Sequence, residues 1–161
     1  MLETGNLAPD FTLPNTAREA VTLSGLRGKT VVVAFFPAAF TGVCEKELCT
    51  FRDNLDSLNS VNATVLGICV DAPFSNAAFA KQNNLNFPIL SDYARTATAA
   101  YDVAHDDFAG MTGYTAAKRS VFVVDGEGKL AYTWVAPNPG VEPNYDEVKA
   151  VVAKLGASAA S

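Results

Sequence analysis

The sequence holds one histidine, three cysteines and no apolar run near the roughly 18–20 residues that span a membrane. His105 stands among Asp102, Asp106 and Asp107, and no second ligand of suitable type has helical or hairpin spacing to it. That stretch reads as a solvated loop, and no metal is expected. Three cysteines are too few for a disulfide scaffold, so they predict chemistry or packing in a reducing compartment. Met1 to Asn6 lacks a basic stretch followed by an apolar one, so no secretory leader is expected and a cytoplasmic location is. Basic residues are also scarce. Twelve Lys and Arg against seventeen Asp and Glu leave a net charge of -5, with the cations scattered, which argues against nucleic acid as a partner. Repeats, low-complexity tracts and linker-like shifts are absent. The 161 residues, 49% hydrophobic, therefore predict one domain over 1–161 with a sizeable core.

What is present is a set of unbroken apolar strands. Val31-Val32-Val33-Ala34-Phe35-Phe36 shows no alternation, which predicts a central strand over Lys29 to Phe36, buried on both faces and closed by Pro37. Ala63 to Val70 and Ser120 to Val124 read the same way, and Asp125-Gly126-Glu127-Gly128 reads as a turn into Lys129 to Val135. Between them lie helical patterns: the stripe Cys44, Leu48, Phe51, Leu55 and Leu58, then Phe74 to Asn83, and a shorter one at Tyr93 to Ala100. Asn144 with Glu147 resembles a capping box before the stripe Tyr145, Val148, Val151, Val152 and Leu155. Asp10 to Leu13 and Ala20 to Leu23 suggest a small N-terminal hairpin. Strand and helix alternate, so the fold class is an α/β sandwich with a mixed sheet. Tyr132 and Trp134 lie on the last strand, and one of them is expected to face the core.

The chemistry concentrates after the first central strand, because open α/β sheets bind ligands at the C-terminal edges of their strands. There Pro37 to Val43 leads into Cys44. A helix starting near Gly42 places Cys44 in its first turn, where free backbone N–H groups and the helix dipole favour a thiolate. An inert packing cysteine is the competing reading, weakened by the position at a strand-to-helix junction. Cys49 shares its helical face with Arg52, Asp53 and Asp56, so a solvated position is expected. On an ideal helix its Cα is about 8.6 Å from that of Cys44, beyond the ~7 Å a disulfide tolerates. Linking the two requires the first turns to unwind. Cys69, inside a buried strand, reads as packing.

Pro37-Ala38-Ala39-Phe40-Thr41-Gly42-Val43-Cys44 fits the Pro-x-x-x-Thr-x-x-Cys signature of the peroxiredoxins. Ala8-Pro9-Asp10-Phe11, Val70-Asp71, Phe87 to Asp92 and Lys118 to Phe122 extend the resemblance through most of the chain. The resemblance implies a thioredoxin-like fold with an N-terminal hairpin extension, and reduction of hydrogen peroxide and organic hydroperoxides by Cys44. Cys49 matches the resolving position of the bacterioferritin-comigratory subgroup, whereas Phe40 to Cys44 looks more like the alkyl-hydroperoxide-reductase-E-like subgroup. A thioredoxin-like protein or another thiol is implied as reductant. A homodimer is expected, with a monomer as the alternative. No cofactor is expected.

Acidifying the thiol cannot by itself account for such catalysis. Lowering its pKa from about 8.5 to about 6 raises the thiolate fraction at pH 7 by about 30-fold at most. Nucleophilicity falls about tenfold in exchange. Donors that hold the peroxide must supply the rest: the Val43 and Cys44 N–H groups, the Thr41 hydroxyl, and Arg119, which matches the family's active-site arginine. Read without the family, Arg119 is a surface charge and Thr41 a helix cap. Pro37 shapes and shields the pocket. Glu47, expected in the first helical turn, either orients Arg119 or complements the dipole. Three alternatives stay open: a one-cysteine peroxidase recycled by an external thiol, a thiol–disulfide oxidoreductase, and a non-catalytic binding module. The Cys44-to-Cys49 spacing is too wide for the Cys-x-x-Cys of the second.

Overall fold

Alternate side chains of β3 (Thr30–Phe35) enter two different cores, which is why its sequence shows no polar face. The computed structural model describes residues 2–40, 42–54 and 63–160; the side chains of Val43, Cys44 and residues 156–160 lie outside the described part. Val32, Ala34 and Phe36 pack with Leu48, Phe51, Phe79, Val148 and Val152. Those partners come from α1 (Gly42–Asp53), α2 (Pro73–Gln82) and a C-terminal helix over Tyr145–Ala160. Val31, Val33 and Phe35 face the other way, against Phe11, Leu13, Leu23, Ala97 and Tyr101. Phe11 directly precedes an N-terminal hairpin, β1 (Thr12–Pro14) with β2 (Ala20–Thr22); the others belong to that hairpin, to the 3-10 turn that follows it, and to the short helix α3 (Thr96–Ala100) with its C-cap.

The main sheet has the order β5 (Ile89–Ser91), β4 (Ala63–Cys69), β3, β8 (Ser120–Val124), β9 (Leu130–Val135). β4 and β5 run parallel to β3, whereas β8 and β9 form an antiparallel hairpin on its other side. The two-stranded pair β6 (Ala104–His105) and β7 (Ala116–Ala117) stands apart from it. Asp125 Oδ1 accepts the N–H groups of Glu127 and Lys129, closing the turn expected there. A Cβ on Gly67 would lie 2.7 Å from Ile89 Cδ1, so the Ile89 side chain fills the space that glycine leaves between β4 and β5. The C-terminal helix, α4 (Tyr145–Ala160), begins as its cap predicts, with Glu147 N–H on Asn144 Oδ1 at 3.1 Å.

Several expectations need correction. Tyr132 and Trp134 are both half-buried and both pack on the core that β3 shares with α1 and α4, because residues two apart on a strand face the same way. His105 belongs to β6, half-buried and edge-on to the Phe108 ring, rather than to a solvated loop. The helix expected over Tyr93 to Ala100 is shorter, starting at Thr96 after Arg95 in a left-handed conformation. Leu55 and Leu58, the end of the first helical stripe, lie outside the described residues.

Candidate active site

The register of β3 with β8 brings distant residues together. Pairing of Phe35 with Ser120 sets Arg119, just before β8, beside the C-terminal end of β3 and hence beside Pro37. Arg119 is only 2% exposed. Its Nη1 donates to Glu47 Oε1 at 3.0 Å, and its Nε and Nη2 both donate to the Pro139 carbonyl, at 3.1 and 3.0 Å. The surface-charge reading of Arg119 is therefore excluded, and so is a purely dipolar role for Glu47. Helix α1 begins at Gly42, which puts Glu47 in the second turn rather than the first, on the inward side. A dipole contact needs the first turn, whereas an inward second-turn position reaches β8.

Glu47 is fully buried, and burial pushes its carboxyl up to about 8 against the opposing pull of the Arg119 charge and hydrogen bond. Its Oε2 has no hydrogen-bond partner among the described residues. A second carboxylate, Glu142, adds repulsion. Glu142 itself is held low: burial opposes this, but the hydroxyl of Tyr145 at 2.7 Å and the ammonium of Lys46 at 3.0 Å outweigh it. Lys46 and Glu47 thus tie α1 outward to Glu142 and inward to Arg119. Neither Glu142 nor Tyr145 was picked out for a polar role from sequence, because the segment before α4 has no regular pattern. Arg119 also lines, with His105, Lys118 and Pro137–Pro139, a cavity of about 340 Å³.

The loop from β3 into α1 carries the signature. Pro37 is buried, and Phe40 takes a left-handed φ of 64° immediately before the helix, with its ring edge-on to Phe79. A bulky residue in that conformation is strained, and such strain concentrates at functional sites. Ala39 N–H donates to Asp71 Oδ2 at 2.8 Å. Asp71 carries part of the family resemblance, but no role for it was legible. Thr41 and the side chain of Cys44 lie outside the described residues; the backbone of Cys44 is the third residue of α1.

The other two cysteines differ from each other. Cys49 is half-buried, not solvated: its thiol meets Asn83 Oδ1 at 3.6 Å, at the C-cap of α2, and Arg52 reaches the Asn83 carbonyl. A helical wheel shows the polar neighbours of Cys49 but not the helix end that covers it. Asp56, the third expected neighbour, lies outside the described residues. Cys69 is fully buried, as expected of a strand residue. Burial first, and the Asp71 carboxylate second, push its thiol well above the ordinary range.

Residues 4–133 match the profile of the AhpC/TSA family. Peroxiredoxin Bcp of Escherichia coli is 36% identical over 134 residues, covering 83% of this chain and 85% of that protein. Alkyl hydroperoxide reductase E of Mycobacterium bovis is 39% identical over 135 residues, covering 82% and 84%. Among solved structures, peroxidoxin BcpB from Mycobacterium tuberculosis superposes with a TM-score of 0.85 at 30% identity, over 96% of this chain and 99% of that one. The thioredoxin-like fold of those structures is the mixed sheet described above. The chain belongs to the AhpC/TSA family, and within it to the peroxiredoxins, the thiol-dependent peroxidases.

Proposed function

We propose that Cys44 is the peroxidatic nucleophile, reducing hydrogen peroxide and organic hydroperoxides, and that Cys49 resolves it. The observation that carries this reading is the buried Arg119 guanidinium, clamped by Glu47 from α1, the helix that holds Cys44 in its first turn. A cation held without freedom at that edge stabilises a thiolate and the oxygen leaving it, with no reorganisation during reaction. The Cys44 sulfur attacks one peroxide oxygen. An S–O bond forms, the O–O bond breaks, and the alcohol or water leaves with a proton, giving a sulfenic acid. Pro37 shields the pocket, while Thr41 and the Val43 and Cys44 N–H groups orient the peroxide.

Resolution follows by attack of the Cys49 thiolate on the Cys44 sulfur: an S–S bond forms, the S–O bond breaks and water leaves. Both residues belong to α1, so its first turns unwind first. A thioredoxin-like dithiol then reduces the disulfide, in a reducing cytoplasm. The cover of Asn83 over Cys49 favours, as a second reading, a one-cysteine cycle in which an external thiol attacks the sulfenic acid. A homodimer through the surface beside the loop is supported by Phe40, which is 47% exposed there. One equivalent of hydrogen peroxide added to the reduced protein, with alkylation and intact mass, tests the cycle. Loss of about two mass units with Cys44 linked to Cys49 supports resolution; a gain of about sixteen or thirty-two selects the one-cysteine cycle. No change within minutes overturns both.

A further inference from the structure

A second group of buried polar atoms lies across β3 from Arg119 and takes no part in the cycle above. Cys69, the last residue of β4, directs its S–H toward Asn76 Oδ1 at 3.1 Å, with Asp71 Oδ2 at 3.7 Å. Asn76 is fully buried on α2, and its amide donates to the Asp71 carbonyl at 3.3 Å. Ser91 Oγ, at the end of β5, donates to the same carbonyl at 2.6 Å. The main chain of Asp71 is therefore clamped by donors from two elements. Its carboxylate is left aimed at the loop, where it takes the Ala39 N–H at 2.8 Å.

We propose that Asp71 is a positioning residue for Cys44, pinning the loop before α1 through Ala39 N–H, so that unwinding of the helix begins beyond that pin. This rests on the reading of Cys44 as the peroxidatic residue. Only residues 40–43 separate the pin from Cys44, and Phe40 among them is already committed to a left-handed turn. The pin needs only an oxygen acceptor at this place, because the donor is a backbone N–H 2.8 Å away. Cys69, kept protonated by its surroundings, supplies a donor to this cluster and no nucleophile. The pin holds the peroxide-reactive geometry and sets how readily α1 gives way to let Cys49 reach Cys44.

The test compares the parent with Asp71→Ala, Asp71→Asn and Ala39→Pro, the last deleting the donor while leaving Asp71 intact. Rapid mixing with hydrogen peroxide, followed by alkylation and intact mass, gives the rate of Cys44 oxidation and its partition between disulfide and sulfinic acid. Amide hydrogen exchange over residues 37–44 reads the loop without any peroxide. Asp71→Ala and Ala39→Pro should oxidise about tenfold more slowly, divert product from sulfinic acid to disulfide, and exchange faster at 37–44. Asp71→Asn, whose amide oxygen still accepts from Ala39, should stay within about twofold in rate. Parental rate, partition and exchange in Asp71→Ala overturn the proposal. So does an Asp71→Asn as impaired as Asp71→Ala, which would assign the effect to charge alone. If the parent itself fails to react with peroxide, the proposed function falls, while the exchange comparison still decides the pin.

Discussion

Two buried polar clusters flank the loop that leads into α1, and they solve the problem of desolvation differently. On the β8 side, Arg119 and Glu47 are both charged-type groups with almost no exposure, joined by one contact of 3.0 Å, and one carboxylate oxygen has no partner among the described residues. On the β4 side, Cys69, Asn76, Ser91 and the Asp71 main chain satisfy one another with neutral donors and acceptors, and a carboxylate is turned outward to the loop. An unevenly satisfied ionic pair is costly in a low-dielectric interior, whereas a closed neutral network is not. In the proposed cycle the difference separates chemistry from support: the ionic cluster stabilises the charge that develops during reaction, and the neutral one holds geometry.

Removing the cation should make the largest difference. Arg119→Ala is expected to slow Cys44 oxidation by about 10²–10³-fold, and to destabilise the fold by about 3–5 kcal/mol because Glu47 is left buried without its partner. Stopped-flow peroxide kinetics and urea unfolding measure the two. If Arg119→Ala oxidises as fast as the parent, the division into a chemical and a supporting cluster is broken.

The next effect is on turnover. Cys49→Ser should abolish the intramolecular disulfide and thioredoxin-supported cycling while leaving the first oxidation within about twofold. Cys69→Ser should leave both intact, because its thiol is a donor and not a nucleophile. Coupled turnover assays with thioredoxin, beside intact mass after one equivalent of peroxide, separate these outcomes.

A pH experiment sharpens the contrast between the clusters. Burial holds the native Glu47 carboxyl above its unfolded value near 4.5, against the pull of Arg119. The native state therefore binds more protons as pH rises past that value, and stability should fall as it does. Glu47→Gln should flatten the slope. Cys69, also raised, carries a separate cost that begins only when the unfolded thiol ionises, near 9 and above. Urea unfolding of parent and Glu47→Gln at pH 5, 7 and 9 checks the sign; a parent that gains stability from 5 to 8 through this group would contradict it.

The smallest effect concerns the two asparagines that meet the thiols. Asn76→Ala, in the closed cluster, should cost about 1–3 kcal/mol through the unsatisfied groups it leaves. Asn83→Ala, at a half-exposed helix end, should cost less than about 0.5 kcal/mol and instead raise the rate at which Cys49 is alkylated in the native protein. Equal destabilisation by the two would mean that Cys49 is as firmly held as Cys69.

Much of this was legible before any coordinates. The runs of β3, β4 and β8 read as strands buried on both faces, since their polar side chains, Thr30, Thr64 and Ser120, fall only near their starts. Cys44 at a strand-to-helix junction, Asn144 as a cap and the Asp125 turn are local matters, settled by the chemistry of a few consecutive residues. Strands of two or three residues, such as β5, β6 and β7, carry no period to read, and they exist because a neighbouring strand supplies their hydrogen bonds. Arg119 illustrates the rest. Its sequence neighbours make it a surface cation, and only the family resemblance suggested otherwise. Its burial comes from Glu47 and Pro139, 72 and 20 residues away. The same holds for the cover of Asn83 over Cys49 and the bond from Ala39 to Asp71. The sequence by itself determined the long strands, the Asn144 cap, the place of Cys44 at the start of a helix and the family. The tertiary structure alone decided which polar groups lose their water and to whom they turn, because that depends on strand order and register, which no local pattern encodes.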